Sequence, residues 1–116
     1  MRLLLAAAVV LAVAPAQAKP KANACAFKDK QHVTVTGIAR SIKTLAEEPG
    51  ESLNTYFFLE TSGPPCGEQR ISVFAGGVIA CSDGDKATVR GVYYAPDEIF
   101  TEPMIDLATV SCTAGR

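Results

Sequence analysis

Five stretches of this chain have residue patterns that are typical of β-strands. Apolar and polar residues alternate in Val33–Ala39 and Arg70–Phe74, and Tyr56–Thr61 is rich in aromatic residues. Ala87–Tyr94 and Met104–Cys112 are rich in β-branched and other apolar residues. Successive side chains of a strand point to opposite faces, so segments of this kind bury one side of a sheet. The pattern predicts an all-β protein of five strands, and no window has the length and periodicity of a long helix.

Two of the connections between these strands have a more definite pattern than an ordinary loop. Ser41–Glu48 is expected to form one or two helical turns that end at Pro49, because its apolar residues share a helical face. Glu47, Glu48 and Glu51 make this connection acidic, and it is expected to be a solvated loop. Gly76–Cys81 is expected to form a turn or a brief helix that places Val78 and Ile79 under the sheet.

The first 18 residues have the layout of an export signal. Arg2 is followed by the apolar run Leu3–Ala14, and Pro15–Ala18 ends in an A-x-A cleavage pattern. The run is too short to span a bilayer as a helix, which takes about 20 apolar residues. We therefore expect the mature protein to begin at Lys19 and to be periplasmic or secreted. The remainder divides into an N-terminal arm over 19–32, a barrel domain over 33–112 and a tail over 113–116.

Size and charge narrow the possible functions. Removal of the signal leaves 98 of the 116 residues, enough for one small domain. The chain has eleven basic and twelve acidic residues, and the signal contains one basic residue and no acidic residue, so the mature net charge is 10 − 12 = −2. A slightly acidic domain gains no general electrostatic attraction to nucleic acid or anionic lipid. Nucleic acid is therefore not the expected partner, and the mature chain has no run long enough for a membrane helix.

The cysteine content indicates a disulfide framework. All four cysteines lie in the predicted mature part: Cys25, Cys66, Cys81 and Cys112. An even number in a small exported domain is typical of two disulfides. The alternative is a metal site, but the chain has no C-x-x-C pair and a single histidine, His32. We expect neither a metal nor a cofactor.

Five strands with a short apolar segment between the third and the fourth resemble the OB-fold. The residues that carry the resemblance are Val33-x-Val35-x-Gly37, Tyr56-Phe57-Phe58-Leu59, Ile71-x-Val73-Phe74, Gly84-Asp85-x-Ala87-x-Val89-x-Gly91 and Ile105-x-Leu107-x-x-Val110. The resemblance covers most of the mature chain and implies a five-stranded OB-like Greek-key barrel with little helix. The export signal and the acidic balance are similar to small periplasmic bacterial OB-fold proteins. The connection between strands three and four is shorter than the helix of many family members.

The strand pairing of such a barrel suggests how the cysteines pair. The fourth and fifth strands would form an antiparallel hairpin, with Cys81 before the one and Cys112 at the end of the other. The first and second strands are likewise antiparallel, with Cys25 before the first and Cys66 after the second. We therefore favour Cys25–Cys66 and Cys81–Cys112 over the other two connectivities.

Alternation along the second and third strands singles out a candidate binding face. If Phe57 points inward, Tyr56 and Phe58 point outward, beside Arg70 and Phe74 of the next strand. In OB-folds this face is the usual ligand face. Exposed aromatic rings next to an arginine suit the stacking of bases or sugars. The alternative is that Phe58 and Phe74 are covered by loops of the barrel itself.

For the other candidate residues, the sequence indicates no specific catalytic or metal-binding role. The Asp83–Asp85 segment has too few oxygen ligands for an EF-hand and is expected to form a tight turn. His32 has no partner at a diagnostic spacing. A hairpin tip with Tyr93, Tyr94, Asp97, Glu98 and Phe100 is expected to be exposed, either as a partner contact or as an ordinary loop.

Three functional hypotheses remain, and no catalytic residue is assigned because no nucleophile or metalloprotease motif is present. The first is a non-catalytic binding module of the cell envelope for a small molecule, sugar, peptide or protein. The second is an oligonucleotide-binding OB domain. The third is a small secreted hydrolase or an enzyme inhibitor.

Overall fold

A computed structural model describes residues 25–114. The chain forms five strands: β1 (His32–Leu45), β2 (Asn54–Thr61), β3 (Gln69–Gly76), β4 (Lys86–Tyr94) and β5 (Met104–Thr113). The described residues include no helix. The predicted signal 1–18 and the first part of the predicted arm, 19–24, lie outside the described residues.

The five strands close into one barrel in the order β1-β2-β3-β5-β4, with β4 returning to β1. All neighbours are antiparallel except β3 and β5, which are parallel. This closed all-β barrel confirms the predicted fold class and is compatible with an OB-like fold. Each of the five described strands pairs with two neighbours over at least part of its length, so none lies at an open edge of the sheet as a whole.

The barrel interior is filled by one face of each strand. Its largest fully buried side chains include those of Val35, Leu59, Ile71, Val73, Val89, Tyr93 and Ile105. Tyr93 is a correction to the sequence analysis, which expected it at an exposed tip. Its ring contacts that of Phe27, with 5.2 Å between ring centroids. The backbone of the segment before β1 also pairs with this strand, since Lys30 N–H donates to the Tyr93 carbonyl and Tyr93 N–H donates to that of Gln31.

Both predicted disulfides are present. Cys25–Cys66 is buried, and Cys81–Cys112 joins the segment before β4 to the end of β5. Among the described residues no cysteine is free. Disulfides of this kind persist in oxidising compartments.

Neither of the two segments considered for helical turns is helical in the structure. β1 continues through Ser41 to Leu45 and pairs with β2, because strand pairing satisfies the backbone at lower cost than an isolated helical turn. Residues 46–53 form the loop. The Gly76–Cys81 segment is irregular after β3 ends. Ile79 packs against the core as predicted, but Val78 is 70% exposed.

Candidate functional site

The outer wall of β2 and β3 gathers the four predicted site residues. Phe57 and Val73 are buried, whereas Tyr56, Phe58 and Phe74 are half-buried and Arg70 is exposed. The predicted alternation of inward and outward side chains is confirmed. We call the outward set Tyr56, Phe58, Arg70 and Phe74 the aromatic face.

The three rings of the aromatic face are held in place by contacts between its own members. Tyr56 and Phe74 pair across the strands edge to face, with ring centroids 5.2 Å apart and an interplanar angle of 75°. The Arg70 guanidinium carbon lies 4.4 Å from the centroid of the Phe58 ring. Such pairs contribute about 0.5–1.5 kcal/mol each beyond burial. The rings are therefore pre-organised on the surface, and none of the three lies in the core.

Arg70 connects the aromatic face to the loop between β4 and β5. Its Nη2 donates to Glu102 Oε2 at 2.7 Å, and this hydrogen bond is the main cause that raises the pKa of Arg70. Ser72 N–H also donates to the carbonyl of Pro103 at 3.0 Å. The loop 95–103 is thus fixed against one end of the face.

Tyr56 connects the opposite end of the face to the loop between β1 and β2. Its hydroxyl donates to Glu47 Oε2 at 3.2 Å. Desolvation raises the pKa of Tyr56, and the hydrogen bond to the Glu47 carboxylate raises it further. The two loops therefore bound the aromatic face from its two ends.

Two shallow depressions flank the Tyr56–Phe74 pair. The first has a volume of about 320 Å³ and is lined by Ser41, Lys43, Tyr56, Phe57, Phe58, Ser72, Val73 and Phe74. The second, of about 430 Å³, is lined by Glu47, Asn54, Tyr56, Phe74, Ala75, Gly76, Met104, Asp106 and Leu107. Ring walls with a few hydroxyl and charged groups at the rim suit a ligand with apolar and polar parts.

Sequence reasoning missed the residues that β1 contributes to this site. A bulge between Arg40 and Lys43, where Ser41 has a φ of 58°, brings Ser41 and Lys43 to the rim of the first depression. The N–H of Ile42 in this bulge donates to Asp83 Oδ1 at 2.9 Å. The Asp83–Asp85 segment is a turn as expected, and it braces the bulge.

The other candidate groups do not cluster into a second site within residues 25–114. His32 is exposed at the start of β1, and no group of three or more His, Cys, Asp or Glu side chains in residues 25–114 could hold a metal ion. Asp97 Oδ1 accepts the N–H groups of Ile99 and Phe100 at 2.8 and 2.7 Å, which fixes an exposed loop tip. Within the described range no helix is long and apolar enough to span a membrane.

Comparison of the chain with protein-family models, with curated proteins and with solved structures finds no match. The functional argument therefore rests on the geometry of the aromatic face.

Proposed function

We propose that this protein is an exported, non-catalytic binding module of the cell envelope with an OB-like fold. Its ligand contacts the aromatic face and the two loops beside it. The observation that carries this proposal is the set of three outward rings, each braced by a neighbour, next to concave depressions. Rings that are fixed before binding lose little conformational entropy when a ligand stacks on them.

Export is supported by two independent features. The first 18 residues match the layout of a signal peptide. The two disulfides are of the kind that form in an oxidising compartment.

The charge around the face favours a sugar, peptide or protein ligand over an oligonucleotide. Arg40 is paired with Glu60 at 3.1 Å, and Arg70 is paired with Glu102. Phosphate groups would have to compete with these carboxylates, and Glu47 adds a further negative charge at the rim. The affinity of a protein for an oligonucleotide depends mainly on lysine and arginine side chains that are free to contact phosphates.

The test is an NMR titration of the ¹⁵N-labelled protein with three separate probes. The probes are a neutral oligosaccharide, an unstructured peptide and a single-stranded oligonucleotide. We expect at least one of the first two to shift amide signals in 41–43, 56–58 and 72–74. Shifts confined to another wall, or no shifts with any probe, would contradict the proposal. Binding of the oligonucleotide alone, with an affinity that falls steeply with salt, would favour the second hypothesis.

Two variants link the shifts to the rings. Phe58→Ala should weaken binding of the active probe by about 1–3 kcal/mol while the fold stays intact. Thr109→Ala, on the outer surface of β5, is the matched control and should bind normally. If Phe58→Ala and Phe74→Ala each lower the free energy of unfolding by about 3–5 kcal/mol, the rings serve the core and not a ligand.

A further inference from the structure

A third depression continues the second one along the surface of the barrel. It has a volume of about 280 Å³ and shares Met104 and Asp106 with the second depression, so the two form one groove. We call these two joined depressions the acidic groove, because of the charges described below. Its walls include the rings of Tyr56, Phe74, Tyr94 and Phe100.

The acidic groove leaves large apolar side chains open to solvent. Phe100 is 61% exposed in the third depression, and Leu107 is 75% exposed in the second. Leu107 has a φ of 54°, in the left-handed region that apolar residues seldom adopt, and its N–H donates to Asp106 Oδ1 at 2.8 Å. Exposed apolar side chains in a concave site are typical of a surface that another molecule covers.

The charge that lines this groove is entirely negative. Glu102 is paired with Arg70, but no ion pair within 4.0 Å among residues 25–114 involves any of the other carboxylates. Neither depression is lined by a lysine or an arginine. The groove therefore concentrates negative charge that the described chain does not neutralise. The lining carboxylates are those of Asp29, Glu47, Asp97, Glu102 and Asp106.

These carboxylates are distributed over separate parts of the chain. Asp29 precedes β1 and accepts the N–H of Ala95 at 2.9 Å, and Glu47 lies in the loop between β1 and β2. The others lie in the loop 95–103 and in β5. No group of three or more acidic, histidine or cysteine side chains in residues 25–114 could hold a metal ion. The arrangement therefore suits several separate cationic groups better than one metal ion.

We infer that the acidic groove binds an extended basic segment of a protein partner. This inference rests on the proposed function, because it names the class of ligand for the same face. A lysine or arginine side chain can lay its aliphatic stem on the rings while its cationic end reaches a carboxylate. Alternate side chains of an extended segment lie on one side about 7 Å apart, so successive basic residues can reach both depressions. The exposed Phe100 and Leu107 favour a peptide over a simple polyamine, because apolar side chains of the segment can cover them.

The test is an NMR titration of the ¹⁵N-labelled, disulfide-bonded protein with two matched peptides. The first alternates lysine with leucine between blocked ends, and the second has glutamine in place of each lysine. We expect the lysine peptide to shift amide signals in 46–48, 94–98 and 104–107, together with those of Tyr56 and Phe74. At low salt it should bind at least about fivefold more tightly than the glutamine peptide. Because exposed charges are screened, this advantage should shrink between about 0.02 M and about 0.3 M salt.

Two variants remove charge from the groove while keeping the shape of the side chains. Glu47→Gln and Asp106→Asn each retain an oxygen that can accept the existing hydrogen bond, and each should weaken binding of the lysine peptide by about two- to fivefold. Glu68→Gln is the matched control, because it changes the net charge equally but Glu68 is exposed between β2 and β3 and lines neither depression. If the double variant Glu47→Gln/Asp106→Asn binds the lysine peptide as tightly as the control does, the inference is wrong.

The remaining outcomes separate this inference from the proposed function. If the glutamine peptide or a neutral oligosaccharide shifts the aromatic face as strongly as the lysine peptide, the inference is wrong and the proposed function stands. Spermidine binding as tight as that of the lysine peptide would show that charge alone is recognised, which overturns a protein segment as the partner. If no probe shifts the aromatic face, both the inference and the proposed function are wrong.

Discussion

The closest approaches between strands in this barrel depend on single glycines. Gly91 in β4 lies against β5, and a Cβ atom at this position would lie 2.5 Å from the Asp106 carbonyl oxygen and 2.7 Å from Ile105 Cγ2. Because both neighbours belong to a paired strand, neither can move without disturbing the barrel.

Gly91→Ala should therefore lower the free energy of unfolding by about 1–3 kcal/mol. Gly76→Ala is the matched control, since a Cβ atom there has no neighbour within 4 Å and the backbone lies outside the left-handed region. Chemical denaturation of the two variants measures the difference. Equal stabilities for both variants would contradict the close packing at Gly91.

Because of Tyr93, the stability of the barrel should depend on pH in the alkaline range. Burial raises the pKa of Tyr93 above its ordinary value of 10.0, and the negative charge of Asp29 raises it further. In the unfolded chain the phenol ionises near pH 10, while in the folded protein it is still neutral. The stability from this neutral phenol is complete below pH 10 and is lost as the pH rises through the folded pKa.

The variant Tyr93→Phe cannot ionise, so its stability should fall less steeply than that of the wild type above pH 10. Urea denaturation from about pH 8 to about pH 11 gives the two slopes. The slope is the readout, because loss of the hydroxyl also changes stability at neutral pH. Identical alkaline slopes would show that the hydroxyl is already accessible to solvent.

At the scale of the elements, the bulge of β1 matters most for the candidate site. It depends on Asp83, which is 41 residues away in sequence and accepts the N–H of Ile42. Without the Asp83 carboxylate, the N–H of Ile42 would lose this hydrogen bond to the protein.

Asp83→Ala should lower the free energy of unfolding by about 1 kcal/mol, a modest value because the contact is exposed. It should also speed hydrogen exchange at the Ile42 amide. Asp83→Asn retains a side-chain oxygen and should exchange more nearly like the wild type. If the two variants exchange alike, the carboxylate does not hold the bulge.

The same bulge shows why the sequence predicted the fold better than the site. The five strands and both disulfides follow from local pattern and pairing, and the outward position of Tyr56 and Phe58 follows from alternation. The position of Lys43 does not follow from local pattern, because it depends on the hydrogen bond between Ile42 and the distant Asp83. The helical spacing within 41–48 was misleading for a related reason: pairing of β1 with β2 overrides a weak local preference.

Tyr93 illustrates a second limit of sequence patterns. A tyrosine near the end of a strand is compatible with a buried or an exposed position, since its ring is apolar and its hydroxyl is polar. In the structure Tyr93 is fully buried and its ring contacts that of Phe27, from the segment before β1.

At the scale of the whole molecule, two disulfides support a small core. Each closes a loop of the unfolded chain, and their sequence separations of 41 and 31 are similar. Loop-closure entropy therefore gives them comparable effects on stability, on the order of 2–5 kcal/mol each. They differ in burial, since Cys25 and Cys66 are buried whereas Cys81 and Cys112 are half-buried.

A mild reductant should therefore reduce Cys81–Cys112 before Cys25–Cys66 in the folded protein, because access of a thiolate limits exchange. Differential alkylation followed by peptide mass spectrometry measures the order. In urea, where both are accessible, the difference should disappear. Earlier reduction of Cys25–Cys66 in the folded state would contradict the burial seen here.

The position of these cross-links has a consequence for how the protein withstands proteolysis. Loop 46–53 lies within the covalent ring closed by Cys25–Cys66, and loop 95–103 lies within the ring closed by Cys81–Cys112. Surface loops are the usual sites of proteolytic nicking. A cut in either loop, or in both, would still leave a single cross-linked molecule. The chain can thus expose both loops beside the aromatic face without losing a fragment when one of them is cleaved.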